Sequence, residues 1–262
     1  MSSEIRDVLN TSGLVLIAGG SPNSMKVSTY LEELKAIGAI PGYAFYGVSF
    51  SKHEQKEPWF LEINPNGRIP ALVDNREGKK PINVWESASI LLYLAKTYDT
   101  NYEFHFKDED LHTEMLNWLF FLQGGLGPIQ GQANHFFRYA PEKIQYGIDR
   151  YQNETRRLYS TYEKHFEKGN EWLVGGKCSI ADFCTQPWVR MHAWCGVDSI
   201  EEFPRLKAWM EKIEARPAFQ AGLQVPEPDV LRTLRTATKE EMDKMAQGSM
   251  KWIQEGMKQN AA

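Results

Sequence analysis

Cysteine is scarce in this chain of 262 residues, which contains three: Cys178, Cys184 and Cys195. All three lie in one later segment, and no two have the Cys-x-x-Cys spacing that is typical of metal and redox sites. An odd number of cysteines without that spacing argues against a disulfide framework. We therefore expect reduced, packed thiols of the kind found in cytoplasmic proteins.

Long apolar runs and clusters of one charge are also lacking. Stretches such as Leu14 to Ala18 are far shorter than the about 20 residues that a membrane helix needs, and the opening SSEIRD lacks the basic segment of a secretory leader. The chain has 30 basic and 34 acidic residues, with no basic run. The sequence thus predicts a cytoplasmic protein with neither a membrane nor a nucleic-acid partner. No metal site is predicted, because no metal-ligand spacing relates His105, His112, His135, His165 and His192.

Residues 12–98 combine strand and helix patterns and form the first predicted domain. The apolar run LVLIA is followed by apolar residues at helical spacing up to Gly38, and then by strand-type residues from Tyr43 to Phe50. This order predicts a β-α-β unit with parallel strands. A hairpin and a closing helix complete the domain; their predicted segments are Ile69–Asp74, Ile82–Val84 and Ser87–Tyr98.

Residues 108–224 have only helix patterns and form the second predicted domain. A bend or break is expected at the sequence GGLGP, residues 124–128. The sequence SIAD, residues 179–182, has the spacing of a helix capping box. Residues 226–262 form a predicted helical extension with an apolar stripe, which we expect to pack on the protein's own surface rather than on a partner. The stripe comprises Met242, Met245, Met250, Ile253 and Met257.

Two predicted helices of the first domain begin with polar residues that could bind an anion, since helix N-termini present unpaired N–H groups. One begins at Ser21-Pro22-Asn23 and the other follows Glu86 at Ser87. No phosphate-binding glycine loop accompanies either of them, so the sequence gives little support for a nucleotide as the ligand. Glu86 could pair with an ammonium group while Ser87 holds a carboxylate, which suits the zwitterionic end of an amino acid.

A thiolate would suit the helix N-terminus at Ser21-Pro22-Asn23. Lowering the pKa of a thiol from about 8.5 by two units takes about 2.7 kcal/mol. A helix N-terminus supplies only about 0.3–1 kcal/mol. One hydrogen bond to the charged sulfur, worth about 1.5–3 kcal/mol, would close the gap, and either Ser21 Oγ or Asn23 Nδ2 could donate it.

The dipeptide Ile69-Pro70 stands at the entry to a predicted strand. A cis peptide bond here would turn the Ile69 backbone outward, where its N–H and C=O could pair with an extended peptide. A trans proline at the start of an edge strand is the more frequent arrangement, and on sequence alone it is the one expected.

Several blocks resemble the glutathione transferase superfamily: SPNSMKV, NPNGRIPALVD, WESASILLYLAK, WLFFLQGGLGPIQGQANHF and APEKI. They are most similar to the branch that contains the yeast nitrogen-repression regulator and the bacterial nu-class disulfide-bond reductases. The resemblance covers roughly residues 12–224. It implies an α/β thioredoxin-like N-terminal domain plus an all-α C-terminal helical domain, the glutathione transferase fold, with glutathione as a substrate.

The resemblance also implies roles for particular residues. Asn23 corresponds to the asparagine that faces the glutathione sulfur, and Ser21 stands where relatives often have Thr. Ile69 corresponds to the backbone partner of the cysteinyl unit, and Glu86 with Ser87 to the γ-glutamyl clamp. Gln55 is implied at the glycyl end, and the second-substrate side is implied for Gln132, Asn134, His135 and Phe136.

Two departures from the family pattern concern the helix tip. Ser24 stands where relatives usually have Gly, and we expect it to affect access to the sulfur. No cysteine lies near Ser21 or Asn23, which disfavours chemistry through an enzyme thiol.

The function implied is a glutathione transferase or glutathione-dependent disulfide-bond reductase whose bound thiolate attacks a small-molecule disulfide or electrophile. Conjugation and peroxide reduction both stay open. The resemblance further implies a homodimer. The alternative is a non-catalytic regulatory or binding protein that keeps the fold. The apolar stripe of the extension could then bind a partner.

Overall fold

The structure is a computed structural model that describes residues 2–229 and 237–259. An α/β half with one four-stranded sheet is followed by a helical half, as the sequence predicts. Within the described ranges no helix is long and apolar enough to span a bilayer. The α/β half contains α1 Ser3–Leu9, β1 Gly13–Ala18, α2 Pro22–Ala36, β2 Tyr43–Gly47, α3 Pro58–Leu61, β3 Ala71–Asn75, β4 Ile82–Trp85 and α4 Ser87–Tyr98. The later helices are α5 Glu109–Phe121, α6 Gly127–Asn134, α7 Gln145–Glu167, α8 Ile180–Val189, α9 Pro204–Glu214, α10 Pro217–Gly222 and α11 Lys239–Gln259.

The strand order is β2-β1-β3-β4, and the pairing confirms the predicted topology. β1 and β2 are parallel, with Leu14 opposite Tyr43. β1 pairs with β3 and β3 with β4 in antiparallel fashion, so the predicted hairpin is present. The predicted second strand is shorter than expected, because β2 ends at Gly47 and the chain turns into a 3-10 helix from Phe50.

Both faces of the sheet are covered, which explains the unbroken apolar run in β1. Successive strand residues point to opposite faces. Leu14 and Leu16 pack in the large core that α2, α4 and the helical half share. Val15 and Ile17 pack in a smaller cluster with residues of α1 and α3. A strand buried on both faces needs apolar residues at every position.

The glycine-rich segment, where the sequence predicts a bend or break, lies between α5 and α6. The helix does not break there, because residues Leu122–Leu126 form a π-helical segment that joins α5 to α6. A second π-helical segment, His135–Tyr139, follows α6. Such segments insert an extra residue into the helical ladder and are frequent at functional sites.

The predicted capping box is confirmed at the start of α8, and it is more extensive than the sequence suggests. Asp182 is fully buried. One of its oxygens accepts from both the backbone N–H and the hydroxyl of Ser179, at 2.8 and 2.9 Å. The other accepts from Leu173 N at 3.1 Å and Trp209 Nε1 at 2.9 Å. Burial raises the pKa of the Asp182 carboxyl, and these four hydrogen bonds act in the opposite direction.

The two halves meet closely where α2 faces α10. A Cβ atom built on Gly222 would lie 2.3 Å from Thr29 Cα, so only glycine fits at this contact. The Ser28 hydroxyl donates to the carbonyl of Gly222 at 2.7 Å. Arg216 also bonds both carboxylate oxygens of Glu33 across the same contact, at 2.6 and 2.7 Å. These contacts hold α2, and with it the N-terminus of α2, against the helical half.

The extension contains helix α11, which packs on the protein's own helical half. Met242 and Ala246 lie against Trp194 and Tyr139. The predicted stripe is only partly correct, because Met245 is exposed. Met250 and Ile253 are half-buried, whereas the side chain of Met257 lies outside the described part.

Candidate functional site

A cavity of about 620 Å³ lies between the α/β half, the helical half and α11. This volume is within the range of about 300–1,000 Å³ that is usual for small-molecule sites. The structure brings seven of the ten predicted site residues to its wall: Ser21, Asn23, Gln55, Ile69, Glu86, Ser87 and His135.

The remaining three predicted residues do not line this cavity. Gln132 is exposed, and Asn134 is buried with an amide oxygen that has no partner in the described chain. Phe136 stacks on Tyr151 with ring centroids 5.4 Å apart. They are neighbours in sequence of His135, but the helical turn points them in other directions.

Ser21 is the N-cap of α2. Its hydroxyl accepts from Ser24 N at 3.2 Å and donates to the Ser24 hydroxyl at 3.2 Å. The Ser24 hydroxyl in turn accepts from Gly19 N at 3.3 Å. Because both hydroxyls are engaged in the turn, Ser21 has no free proton for a ligand in this arrangement. Ser24 is fully buried and absent from the cavity wall, so it supports the turn instead of restricting access to the cavity.

Asn23 is oriented by a residue of the helical half. Its Oδ1 accepts from Trp188 Nε1 at 3.0 Å. An indole N–H can only donate, so the amide oxygen must face Trp188 and the NH₂ group is left for the cavity. Trp188 is buried, and its own carbonyl accepts from Gln130 Nε2 at 2.7 Å. The α2 N-terminus thus presents one side-chain donor, held in place from the opposite half.

Ser87, at the start of α4, accepts two hydrogen bonds through its hydroxyl oxygen. Lys26 Nζ donates to its hydroxyl at 3.2 Å and Gln123 Nε2 donates at 3.4 Å. Lys26 Nζ also donates to Gln123 Oε1 at 2.6 Å. Since the Ser87 oxygen accepts both bonds, its one proton is available to an acceptor in the cavity.

The ammonium group of Lys26 lies fully buried beneath this part of the cavity wall. Burial lowers its pKa, while Cys184 and Glu86 act to raise it. Sequence inspection missed Lys26 because it occupies an ordinary position within a predicted helix.

Glu86 occupies an unusual backbone conformation, with φ 68° and ψ 118° immediately before α4. Positive φ is uncommon for residues other than Gly, and strained residues of this kind cluster at functional sites. The carboxylate lies on the cavity wall beside Ser87 and is exposed. A carboxylate next to a free hydroxyl proton can receive an ammonium and a carboxylate from the same ligand.

Ile69 and Pro70 lie on the wall at the start of β3, and the peptide bond between them is cis. The expectation of a trans bond was wrong. The turn that precedes them is tied by Asn64, whose Nδ2 donates to the carbonyl of Arg68 at 2.6 Å. This turn places Ile69 at the edge of the cavity.

Gln55 is 8% exposed and lies on the wall, and its Oε1 has no partner in the described chain. A buried amide oxygen without a partner costs free energy, so this group favours a ligand that donates a hydrogen bond. Lys56 and Arg68 line the same region and were missed by sequence reasoning. Their positions next to the predicted Gln55 and Ile69 were the available signal. They make this end of the cavity attractive to a carboxylate.

His135 and Tyr139, from the second π-helical segment, line the cavity together with Ile253 and Gly256 of α11. Sequence reasoning did not assign Tyr139, Ile253 or Gly256 to a site. The Tyr139 hydroxyl accepts from Trp194 Nε1 at 2.6 Å. Burial raises the pKa of Tyr139. Within the described residues no group of three His, Cys, Asp or Glu side chains is arranged to hold a metal ion.

The fold and the cavity define a two-part protein in which the helix tips of a thioredoxin-like half face an all-helical half. Two family models match the chain: the N-terminal domain of glutathione S-transferase at residues 20–97 and the C-terminal domain at residues 135–217. The chain belongs to the glutathione S-transferase family, which confirms the resemblance identified from the sequence.

Individual relatives agree with this assignment. The chain is 39% identical over 205 residues to the disulfide-bond oxidoreductase YfcG of Escherichia coli K12, which covers 78% of this chain and 91% of the relative. A glutathione transferase homologue from Lodderomyces elongisporus, solved with two glutathione molecules per subunit, superposes with a TM-score of 0.76 at 35% identity and covers 82% of this chain and 100% of its own. The transferase URE2P8 from Phanerochaete chrysosporium, solved with oxidised glutathione, gives a TM-score of 0.75 at 33% identity, with coverages of 87% and 99%.

Proposed function

We propose that the protein binds glutathione in this cavity and uses its thiolate to reduce a disulfide or to attack an electrophile. Glu86 and Ser87 hold the two charges of the γ-glutamyl end, the Ile69 backbone pairs with the cysteinyl unit, and the Gln55 region receives the glycyl end. The observation that carries the proposal is the Asn23 amide, whose oxygen is held by Trp188 and whose NH₂ group is left at the tip of α2. A fixed donor at a helix N-terminus stabilises a thiolate.

The reaction follows thiol–disulfide exchange. The bound thiolate attacks one sulfur of the substrate disulfide and expels the other as a thiolate, which takes up a proton from solvent. A second glutathione then attacks the mixed disulfide, releasing the second substrate thiol and glutathione disulfide. Two electrons pass from two glutathione molecules to one disulfide, so the balance needs no protein cysteine. The three cysteines are buried and unpaired, in keeping with this.

The test is glutathione-dependent reduction of a small dialkyl disulfide with and without the protein. We expect clear acceleration over the spontaneous exchange, and a raised KM for glutathione in Glu86→Gln. Conjugation of an aromatic halide and reduction of an organic peroxide are measured in parallel. Glutathione binding by calorimetry without turnover in any assay would favour the non-catalytic alternative. Absence of binding would overturn the proposal.

Lys26→Met is expected to weaken glutathione binding about tenfold and to change stability little, because the removal of a buried charge offsets the lost hydrogen bond to Gln123 Oε1. The ammonium makes Ser87 an acceptor and so directs its proton into the cavity; a charge-assisted hydrogen bond is worth about 1.5–3 kcal/mol, and 1.4 kcal/mol is a factor of ten. Met has a similar length and removes a charge that burial disfavours. Calorimetry measures the affinity, and thermal unfolding measures the stability.

The control is Ser87→Ala, alone and combined with Lys26→Met. If Lys26 acts through Ser87, the double variant loses no more affinity than Ser87→Ala alone, because the second change removes a bond that no longer has an acceptor. Additive losses would show that Lys26 contributes independently.

A homodimer in the cytoplasm is also proposed. Phe120 and Tyr146 are 70% and 76% exposed on the helical half, which leaves apolar surface for a second copy. Large exposed apolar side chains often mark contact surfaces. The unpaired, buried thiols suit a reducing compartment.

A further inference from the structure

Helix α11 follows the part of the chain that the family models match, since the second model ends at residue 217. It is fastened to the helical half by a buried guanidinium. Arg138 Nη1 bonds Asp243 at 2.8 Å, and Arg138 Nε donates to the carbonyl of Trp194 at 2.8 Å. Met242 and Ala246 pack beside this pair. The first turns of α11 are therefore held by both charge and apolar contact.

The later turns of α11 reach the cavity. Gln254 Nε2 donates to the carbonyl of Tyr139 at 3.1 Å, which ties the helix to the π-helical segment His135–Tyr139. Ile253 and Gly256, on either side of Gln254, line the cavity itself. They line it together with His135 and Tyr139, whereas Asn23 lies on the α/β side. A ligand group attached to a sulfur at Asn23 would therefore share this cavity with Ile253 and Gly256 of α11.

We propose that α11 forms a wall of the second-substrate compartment and that Gly256 sets how bulky a group on the glutathione sulfur can be. This inference rests on the proposed binding of glutathione. It assigns the selection of substrates by size to a helix that lies outside the segments matched by the family models.

Gly256 is an unfavourable choice for a helix interior, where it costs about 1 kcal/mol relative to Ala. A Cβ atom built there would meet no described atom within 4 Å, so no close packing requires glycine. Its φ angle is not in the left-handed region. What distinguishes the position is that it borders the cavity, where any side chain would take space from a ligand. Gly248 is the matched comparison, because it lies in the same helix with equally open space but is exposed away from the cavity.

The experiment measures the affinities of S-methylglutathione and S-hexylglutathione by calorimetry in the full chain. The two ligands share the tripeptide and differ only in the group on sulfur. In Gly256→Leu we expect the affinity for the hexyl ligand to fall about tenfold or more relative to the methyl ligand, with a smaller shift of the same sign in Gly256→Ala. Gly248→Leu gains the same helix propensity and is expected to leave the ratio within about twofold of the unsubstituted chain.

The outcomes separate this inference from the proposed function. If neither ligand binds the unsubstituted chain, glutathione binding fails and the inference falls with it. If both bind and the ratio is the same in Gly256→Leu and Gly248→Leu, α11 does not limit the sulfur substituent and only the inference is overturned. An equal loss of both ligands in Gly256→Leu would place Gly256 against the tripeptide and would also overturn it. Thermal unfolding of each variant confirms that it is folded.

Discussion

Asn23→Ala is expected to lower the glutathione-dependent rate at neutral pH by about 10- to 100-fold. A hydrogen bond to a charged group is worth about 1.5–3 kcal/mol, and about 1.4 kcal/mol corresponds to a factor of ten. Without the amide donor the thiolate loses that stabilisation, so the pKa of the bound thiol rises toward the free value of about 8.5. The loss should therefore shrink as the pH is raised through that range. The pH profile of kcat/KM in the variant and the unsubstituted chain measures this.

Trp188→Phe tests the orientation of Asn23 separately. Phe keeps the aromatic packing but has no N–H to hold Asn23 Oδ1, which the indole contacts at 3.0 Å. We expect a shift of the pH profile in the same direction as for Asn23→Ala, but smaller, because the amide can still reach the sulfur in some of its rotamers. In the Asn23→Ala background, Trp188→Phe should not shift the profile further.

Two results would contradict this assignment. One is an identical pH profile in Asn23→Ala and the unsubstituted chain. The other is a shift in Ser21→Ala in place of Asn23→Ala, which would transfer the sulfur donor to Ser21. The structure favours Asn23, because the Ser21 hydroxyl is engaged with Ser24.

Asp182→Ala is expected to lower the free energy of unfolding by about 4 kcal/mol. The carboxylate is fully buried and accepts four hydrogen bonds, from Ser179 twice, Leu173 and Trp209. A buried donor left without a partner costs about 1–3 kcal/mol, and partial relaxation keeps the sum below the simple total. Denaturant unfolding with linear extrapolation measures the change.

Asp108→Ala is the matched control for this prediction. Asp108 is also an acidic residue at a helix N-terminus and accepts from Asp110 N and Leu111 N, but it is exposed. Loss of an exposed cap costs about 0.5–2 kcal/mol. A loss in Asp182→Ala no larger than in Asp108→Ala would show that burial adds nothing to the capping box.

The candidate site could be predicted from sequence to the extent that its residues lie at element boundaries. Ser21, Asn23, Glu86 and Ser87 stand at helix starts, and the cavity forms where these starts meet. The second-substrate side was predicted less well, because His135 lines the cavity while the adjacent Phe136 stacks on Tyr151. In a π-helical segment the usual helical spacing does not say which side chain faces inward.

The local elements can be read from the amino-acid sequence alone: the cap and proline that begin α2, the capping box before α8, the apolar run of β1 and the hairpin. Each of these depends on residues within a few positions of one another, so its physical cause is readable in the chain. The contact of Trp188 with Asn23, 165 positions away, and the position of Gly256 beside the cavity become visible in the folded chain alone. Such contacts depend on how buried surfaces pack together, because a donor finds its acceptor only after the helices have taken their places.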